Sequence, residues 1–273
     1  MNAANNRGGT GLAKFSEYST KYTNVRMERH NGIILVTLHT NGDSLRWSLE
    51  AHRELPEAFH DIGGDAENRV MILTGTGSEF SGPAATKGTT LFASRPSAQL
   101  MDTIQWEGRR LLLNLLDIEI PVIGIVNGPA WRHSEIPLMS DIVLASDTAA
   151  FQDSAHFMSN LVPGDGVHVI YPMLLGMNRA RHFLMTGRII EAREALDLGL
   201  VAEVLPSDQL LRRAYDIAED FIARPNLLLR YTRLLFTAEL KRRLNELLGY
   251  GLALESMALM ERPIAEEPAH GGR

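Results

Sequence analysis

The chain has 273 residues, 45% hydrophobic and 22% charged, with a formal net charge of −6. Such a composition suits a globular protein with a sizeable core, and the negative balance gives no electrostatic basis for nucleic-acid binding. There is no cysteine, which excludes disulfides, thiol catalysis and thiolate metal sites, and no apolar run approaches the ~20 residues of a membrane span.

In chain order, the opening MNAANNRGGTG lacks a signal-like apolar core, so residues 1–20 are expected to form a flexible leader on a cytoplasmic protein. NVRMER (24–29) and IILVTLHT (33–40) read as strands, and Asn31-Gly32 between them is a hairpin signal. Ser48 is an N-cap for LEAHRELPEAFHDI, with Pro56 marking an irregularity and Gly63-Gly64 the end. RVMILTGTG (69–77) is a third strand, leading into a Gly/Ser/Ala/Thr-rich stretch at 75–90 that reads as a mobile loop. A helix is expected over 98–116, strands over 121–126 and 141–146, and a short run near Phe151. After about residue 168 the pattern turns helical as far as Met260, with Lys241-Arg242-Arg243 forming one solvated helix face. The expected organisation is an α/β body of strand-rich units with crossover helices over 21–205, followed by a helical region over 206–273. Within that region Leu227, Leu228, Leu234, Leu235, Leu244, Leu247 and Leu248 form a stripe that needs something to bury it.

No HExxH, P-loop, GxSxG or dinucleotide glycine pattern occurs, and GTGSEFSG lacks the Lys-Ser/Thr ending of a phosphate loop. The histidines are more informative. In IVNGPAWRHSEIP, Asn127-Gly128-Pro129 makes a turn whose backbone can approach a ligand, yet three bulky residues follow, ending in His133. His156 lies in FQDSAHF, and Asp165 follows in the Gly-flanked turn VPGDGVH. A His–carboxylate pair can polarise a water, because the carboxylate fixes the tautomer and stabilises the imidazolium; taken alone, His156 reads more readily as an ordinary hydrogen-bonded histidine, and the second histidine with the Gly-flanked Asp brings the two readings level. Trp47 reads alone as a packing residue at a helix start, and His52 as a solvent-facing one. Glu255 is the only acid between Glu246 and Glu261 in a mostly apolar stretch, where burial demands a partner or a task.

Residues 24 to about 260 resemble the crotonase (enoyl-CoA hydratase/isomerase) superfamily through the order of ILTGTGSEFSG, PVIGIVNGPA, EIPLMSDIVLASDTAAFQD, LVPGDG and MTGRIIEAREALDLGLVAEVLP. The resemblance implies a spiral of ββα units, a C-terminal helical trimerisation region and an oxyanion site between two loops. The departures are specific. Trp131-Arg132-His133 replaces the glycine run that precedes the family's catalytic Glu, although Glu135 remains. His156 stands where the family carries its second catalytic Glu, and Gly82-Pro83-Ala84-Ala85 puts a proline without an N–H into the other oxyanion loop. These features resemble the β-diketone hydrolase branch of the 6-oxocamphor hydrolase type, as do SLRWSLEAH, VPGDGVH and GLALESMA. What this implies is a hydrolase without metal or cofactor that cleaves the carbon–carbon bond between the carbonyls of a cyclic 1,3-diketone. In it Asp165 orients His156, which deprotonates water; His133 and the Trp47 N–H hold the oxyanion or enolate; Glu255 and His52 position substrate. The implied assembly is a homotrimer or a dimer of trimers. An acyl-CoA hydratase or isomerase, and a non-catalytic crotonase-like assembly protein, are the competing expectations.

Overall fold

A short helix α1 (Phe15–Tyr18) precedes the strands β1 (Val25–His30) and β2 (Ile33–Leu38) in the computed structural model, which describes residues 13–84 and 96–261. The two strands pair antiparallel, and their turn is Asn31-Gly32 with φ of 50° and 81°, the left-handed pair that a two-residue hairpin turn requires. From β2 onward the chain repeats one unit, in which a long strand, a short pairing and a helix follow one another. The first continues with β3 (Leu45–Arg46) and α2 (Leu49–Gly64), the second is β4 (Val70–Gly75), β5 (Ser81–Gly82) and α3 (Ala98–Asp117). The third runs from β6 (Val122–Val126) through a bridge at Ala130 to α4 (Glu135–Leu138), and the fourth is β7 (Ile142–Ser146), β8 (Ala150–Phe151) and α5 (Val167–Leu175). The remainder is α6 (Met177–Thr186), β9 (Ile190–Glu191), α7 (Ala192–Asp197), β10 (Glu203–Leu205), α8 (Ser207–Ile222) and α9 (Asn226–Leu259).

The long strands form a six-stranded sheet in the order β1-β2-β4-β6-β7-β10, parallel from β2 onward. The short pairings line up beneath it: β3 with β5, Ala130 bridging Ser81 and Phe151, and β8 with β9. Every residue of β4 and β6 is buried, as a parallel sheet covered on both faces demands. On one face Ile72, Ile123 and Leu144 meet Leu210, Ala214 and Ile217 of α8; the other face carries the main core with α2 and α3. Each such fully buried aliphatic side chain contributes about 1.5–3 kcal/mol.

Several expectations need correction. Of the leader over 1–20, Phe15–Tyr18 form a helix whose Tyr18 is buried and donates to Asp65 at 2.9 Å; residues 1–12 lie outside the described set. Ser81–Gly82 in the expected loop over 75–90 form a strand, and residues 85–90 lie outside the described set. Pro56 does not interrupt α2, because Leu55, Ala58, Phe59 and Ile62 hold it in the core on either side of the missing N–H. The helical second half contains β10, which completes the sheet. Within the region after 205, α8 covers the sheet and α9 reaches the site described next. Among the described residues no helix is long and apolar enough to cross a membrane.

Candidate active site

The turn after β6 and the segment after β8 are stitched together beside β5. Ala130 N donates to Ala150 O at 2.7 Å, Trp131 N to Ser81 O at 2.9 Å and Ser154 N to Trp131 O at 3.0 Å. Beyond these backbone bonds, the turn presents three side chains. Trp131 points its indole N–H away at Glu79 (3.1 Å), while buried Arg132 donates Nε to the Pro83 carbonyl at 3.3 Å. His133 turns toward Trp47 and Asp165, at φ 49°, a region sparsely populated by residues with a β-carbon. Two contacts hold it there: its Nδ1 lies 2.8 Å from Glu135 Oε1, and its ring stacks on Trp47 with centroids 3.7 Å apart. Trp47 itself is pinned by its backbone N–H to Gly82 O at 2.9 Å, and its indole N–H meets no partner among the described residues.

His156 sits across from His133. Its Nδ1 lies 2.7 Å from Asp153 Oδ1, and its Nε2 lies 3.3 Å from Asp165 Oδ2 and 3.7 Å from Glu255 Oε1. The same Asp165 oxygen is 3.5 Å from His133 Nδ1, so this carboxylate bridges the two imidazoles. Glu255 arrives on α9, which passes close to the Pro163–Gly166 turn; a β-carbon on Gly164 or on Gly251 would collide with the other residue's carbonyl oxygen. Glycine at both positions therefore sets how near Glu255 comes to Asp165 and His156.

His52, on the first turns of α2, is buried and has its Nδ1 3.0 Å from Glu107 Oε2 of α3, whose other oxygen accepts from Arg53 at 3.2 Å. Its ring lies edge-on to Trp47, with centroids 6.1 Å apart. The reading of His52 as solvent-facing is thereby corrected: α2 packs on α3, and that turns His52 inward.

The electrostatics follow from stacking charges in a dry place. Burial pushes both imidazoles toward neutrality, but the surrounding carboxylates outweigh it, so His133 is raised and His156 is raised well above the ordinary histidine value. Burial pushes Asp165 up, and the two imidazoles more than reverse this, leaving it below the usual carboxylate range. For Glu135 and Glu255 burial wins, and both are raised. Among the described residues, Glu135 Oε2, Asp153 Oδ2, Asp165 Oδ1 and Glu255 Oε2 are buried without a hydrogen-bond partner. Orphaned carboxylate oxygens of this kind ask for donors, which water or a bound ligand can supply. His133, Glu135 and Asp165 also bring three ligand atoms within 4.8 Å of one another, a grouping that could hold a cation.

The structure thus gathers Trp47, His133, His156, Asp165 and Glu255 in one cluster, with His52 behind Trp47. Asp165, expected as the residue that orients His156, lies on its Nε2 side, and the carboxylate on Nδ1 is Asp153. Asp153 had a sequence signal, three residues before His156 in FQDSAHF. Glu107 had none, because only the packing of two helices brings it to His52.

A family model for enoyl-CoA hydratase/isomerase matches residues 28–265. Among curated relatives, a probable enoyl-CoA hydratase of Mycobacterium tuberculosis is 34% identical over 176 residues, which spans 60% of this chain and 59% of that protein. The carnitinyl-CoA dehydratase of Citrobacter koseri is 29% identical over 198 residues, 71% of this chain and 72% of that one. Among solved structures, a β-diketone hydrolase from the cyanobacterium Anabaena sp. PCC 7120, bound to (S)-3-oxocyclohexyl acetic acid, is 47% identical with a TM-score of 0.84, covering 89% of this chain and 96% of that one. An enoyl-CoA hydratase/isomerase from Mycobacterium paratuberculosis is 26% identical with a TM-score of 0.78, covering 87% and 94%.

Proposed function

The chain belongs to the enoyl-CoA hydratase/isomerase family, and from that premise we propose that it is a β-diketone hydrolase, adding water to a cyclic 1,3-diketone and breaking the bond between the carbonyls. The observation that carries this reading is the pair of buried imidazoles bridged by Asp165 under the Trp47 ring. Thioester chemistry on this fold calls for backbone donors. Here side chains stand beside two altered positions: Pro83 has no N–H, and Trp131 spends its own on Ser81 O of β5. The 47% identity to the Anabaena β-diketone hydrolase supports the same reading.

In the proposed reaction, a water beside His156 Nε2 and Asp165 gives its proton to Nε2 while its oxygen adds to one carbonyl carbon. The oxyanion takes hydrogen bonds from the Trp47 indole N–H and from His133 Nε2. His133 Nε2 carries a proton in two states of the His133–Glu135 pair. With Glu135 ionised, the raised imidazole is a cation; with Glu135 neutral, its O–H donates to Nδ1 and leaves the proton on Nε2. Collapse breaks the carbon–carbon bond, and its electron pair passes into an enolate on the second carbonyl. The His156 imidazolium then protonates the enolate carbon, and the products are a ketone and a carboxylic acid within one chain. Glu255, and His52 from behind Trp47, would position the substrate ring.

The test is a panel of cyclic 1,3-diketones followed by loss of enolised-diketone absorbance, with mass spectrometry in ¹⁸O-water. One ¹⁸O in the new carboxyl group is the expected result. The curated relatives favour hydration of an enoyl thioester instead; saturable turnover of crotonyl-CoA with no diketone cleavage would overturn the proposal.

The proposed assembly is a trimer or a pair of trimers. The inner face of α9 buries Leu244, Leu248 and Leu252, whereas Leu235, Phe236, Tyr250 and Met257 stay exposed on its outer side, an apolar surface that wants a partner. A monodisperse monomer in light scattering at micromolar concentration would refute it.

A further inference from the structure

His156 is held between carboxylates, but its two nitrogens meet them differently. The Nδ1 contact to Asp153 is 2.7 Å, the length of a full charge-assisted hydrogen bond, and His156 and Asp153 are each only 3% exposed. The Nε2 contacts to Asp165 and Glu255 are longer, 3.3 and 3.7 Å, and the latter two keep 12% and 15% of their side chains accessible. The Nε2 side is therefore the more open of the two. The backbone of His156 is fixed as well, its carbonyl accepting from Ser159 N at 2.7 Å and Leu161 N at 3.0 Å.

We infer that Asp153, not Asp165, is the positioning residue of His156: its Oδ1 accepts the Nδ1 proton, fixes the tautomer and leaves Nε2 to take a proton from water. The catalytic consequence rests on the diketone hydrolase reading; the hydrogen bond itself does not. Asp165 is thereby freed to contact the water directly, from its place between the two imidazoles. The groups facing His156 are Asp153 on one side and Asp165, Glu255 and His133 on the other, with His168 beyond Asp165 and Arg132 facing Asp153.

The deciding experiment is imidazole NMR on the full chain with ¹⁵N-labelled histidine. A far-downfield Nδ1 proton, assigned by its loss in His156→Gln, should persist in Asp165→Asn and move upfield or vanish in Asp153→Asn. Loss of the signal in Asp165→Asn, or its unchanged position in folded Asp153→Asn, would overturn the assignment. Should Asp153→Asn not fold, the Asp165→Asn arm alone decides. In turnover, Asp153→Asn should lower kcat about 10²- to 10⁴-fold with KM little changed. The acid limb of its pH profile should move to lower pH, because a carboxylate that holds the proton on His156 is gone. A merely structural Asp153 would leave that limb in place. If the wild-type protein cleaves no diketone, the functional reading fails while the NMR result still judges Asp153.

Discussion

His133 and His156 are built alike and held apart by small differences. Each is buried, each has its Nδ1 within hydrogen-bond reach of a carboxylate two or three residues away, and both touch the same Asp165 oxygen. They differ at the far side of the ring. His133 stacks on Trp47 and meets Asp165 through Nδ1, so that its Nε2 is left for a ligand. His156 has Asp165 and Glu255 on its Nε2, acceptors that draw in a water and welcome a proton. In the proposed reaction these near-identical surroundings serve opposite tasks, a donor that keeps its proton and a base that exchanges one. What separates them is which nitrogen faces the acids.

The largest effect should come from breaking the basic side. His156→Ala is expected to lower kcat by about 10²–10⁴, the range for loss of a general base. Asp165→Asn should lower it too, and the double variant should fall little further, because the two act on one water. Single losses that multiply in the double variant would show that they work independently.

On the donor side, His133→Ala should cost about 2.7–4 kcal/mol in the chemical step, as for other single oxyanion donors. The loss should appear in kcat rather than KM, since the charge develops only after addition. Steady-state kinetics with thermal melts will check it; unchanged kcat in folded protein would leave the bulky turn without a catalytic role.

The pH profile sharpens the contrast. His156 must be neutral to act, and its carboxylate neighbours raise it well above the ordinary histidine value. Activity should therefore rise with pH, with an acid limb in kcat/KM centred above the usual ~6.5 and a slope of about tenfold per pH unit below it. His133 must keep its Nε2 proton, so an alkaline limb belongs to the His133–Glu135 unit, with macroscopic midpoints shared across the cluster. Glu135→Gln can donate an amide N–H to Nδ1, which fixes the Nε2–H tautomer in neutral His133. It should move the alkaline limb to higher pH and leave the acid limb where it was.

How far the sequence anticipated this differs between layers. The hairpin at Asn31-Gly32, the Ser48 cap and the buried strands follow from local backbone preference and hydrophobic period, and the structure shows each. The short β10 did not stand out, because three half-buried residues carry too brief a period and owe their strand to β7. At the site, side chains on motif-bearing turns could be named in advance: His133, His156, Asp165. Their partners are another matter. Which carboxylate meets which ring nitrogen depends on a backbone turn at His156 and on the approach of α9, so Asp153 on Nδ1 could not be named in advance beside Asp165. Glu107 reaches His52 from 55 positions away, through helix packing that no linear spacing encodes.

The smallest effect tests the donor side alone. Trp47→Phe keeps an aromatic ring over His133, where the tryptophan centroid now lies 3.7 Å away, and removes only the indole N–H. That N–H donates to no described residue in the resting site, so no buried acceptor loses a partner and the melting temperature should hardly change. One neutral hydrogen bond is worth about 0.5–1.5 kcal/mol net, which sets the loss in kcat at roughly 2- to 12-fold. Because His133 supplies a second donor to the same oxygen, the loss should grow when Trp47→Phe is made in His133→Asn, where the remaining donor is weaker. If the two substitutions are additive to within about 0.3–0.5 kcal/mol, the indole and the imidazole do not meet at one oxygen, and Trp47 is left as the ring that holds His133 in its left-handed turn.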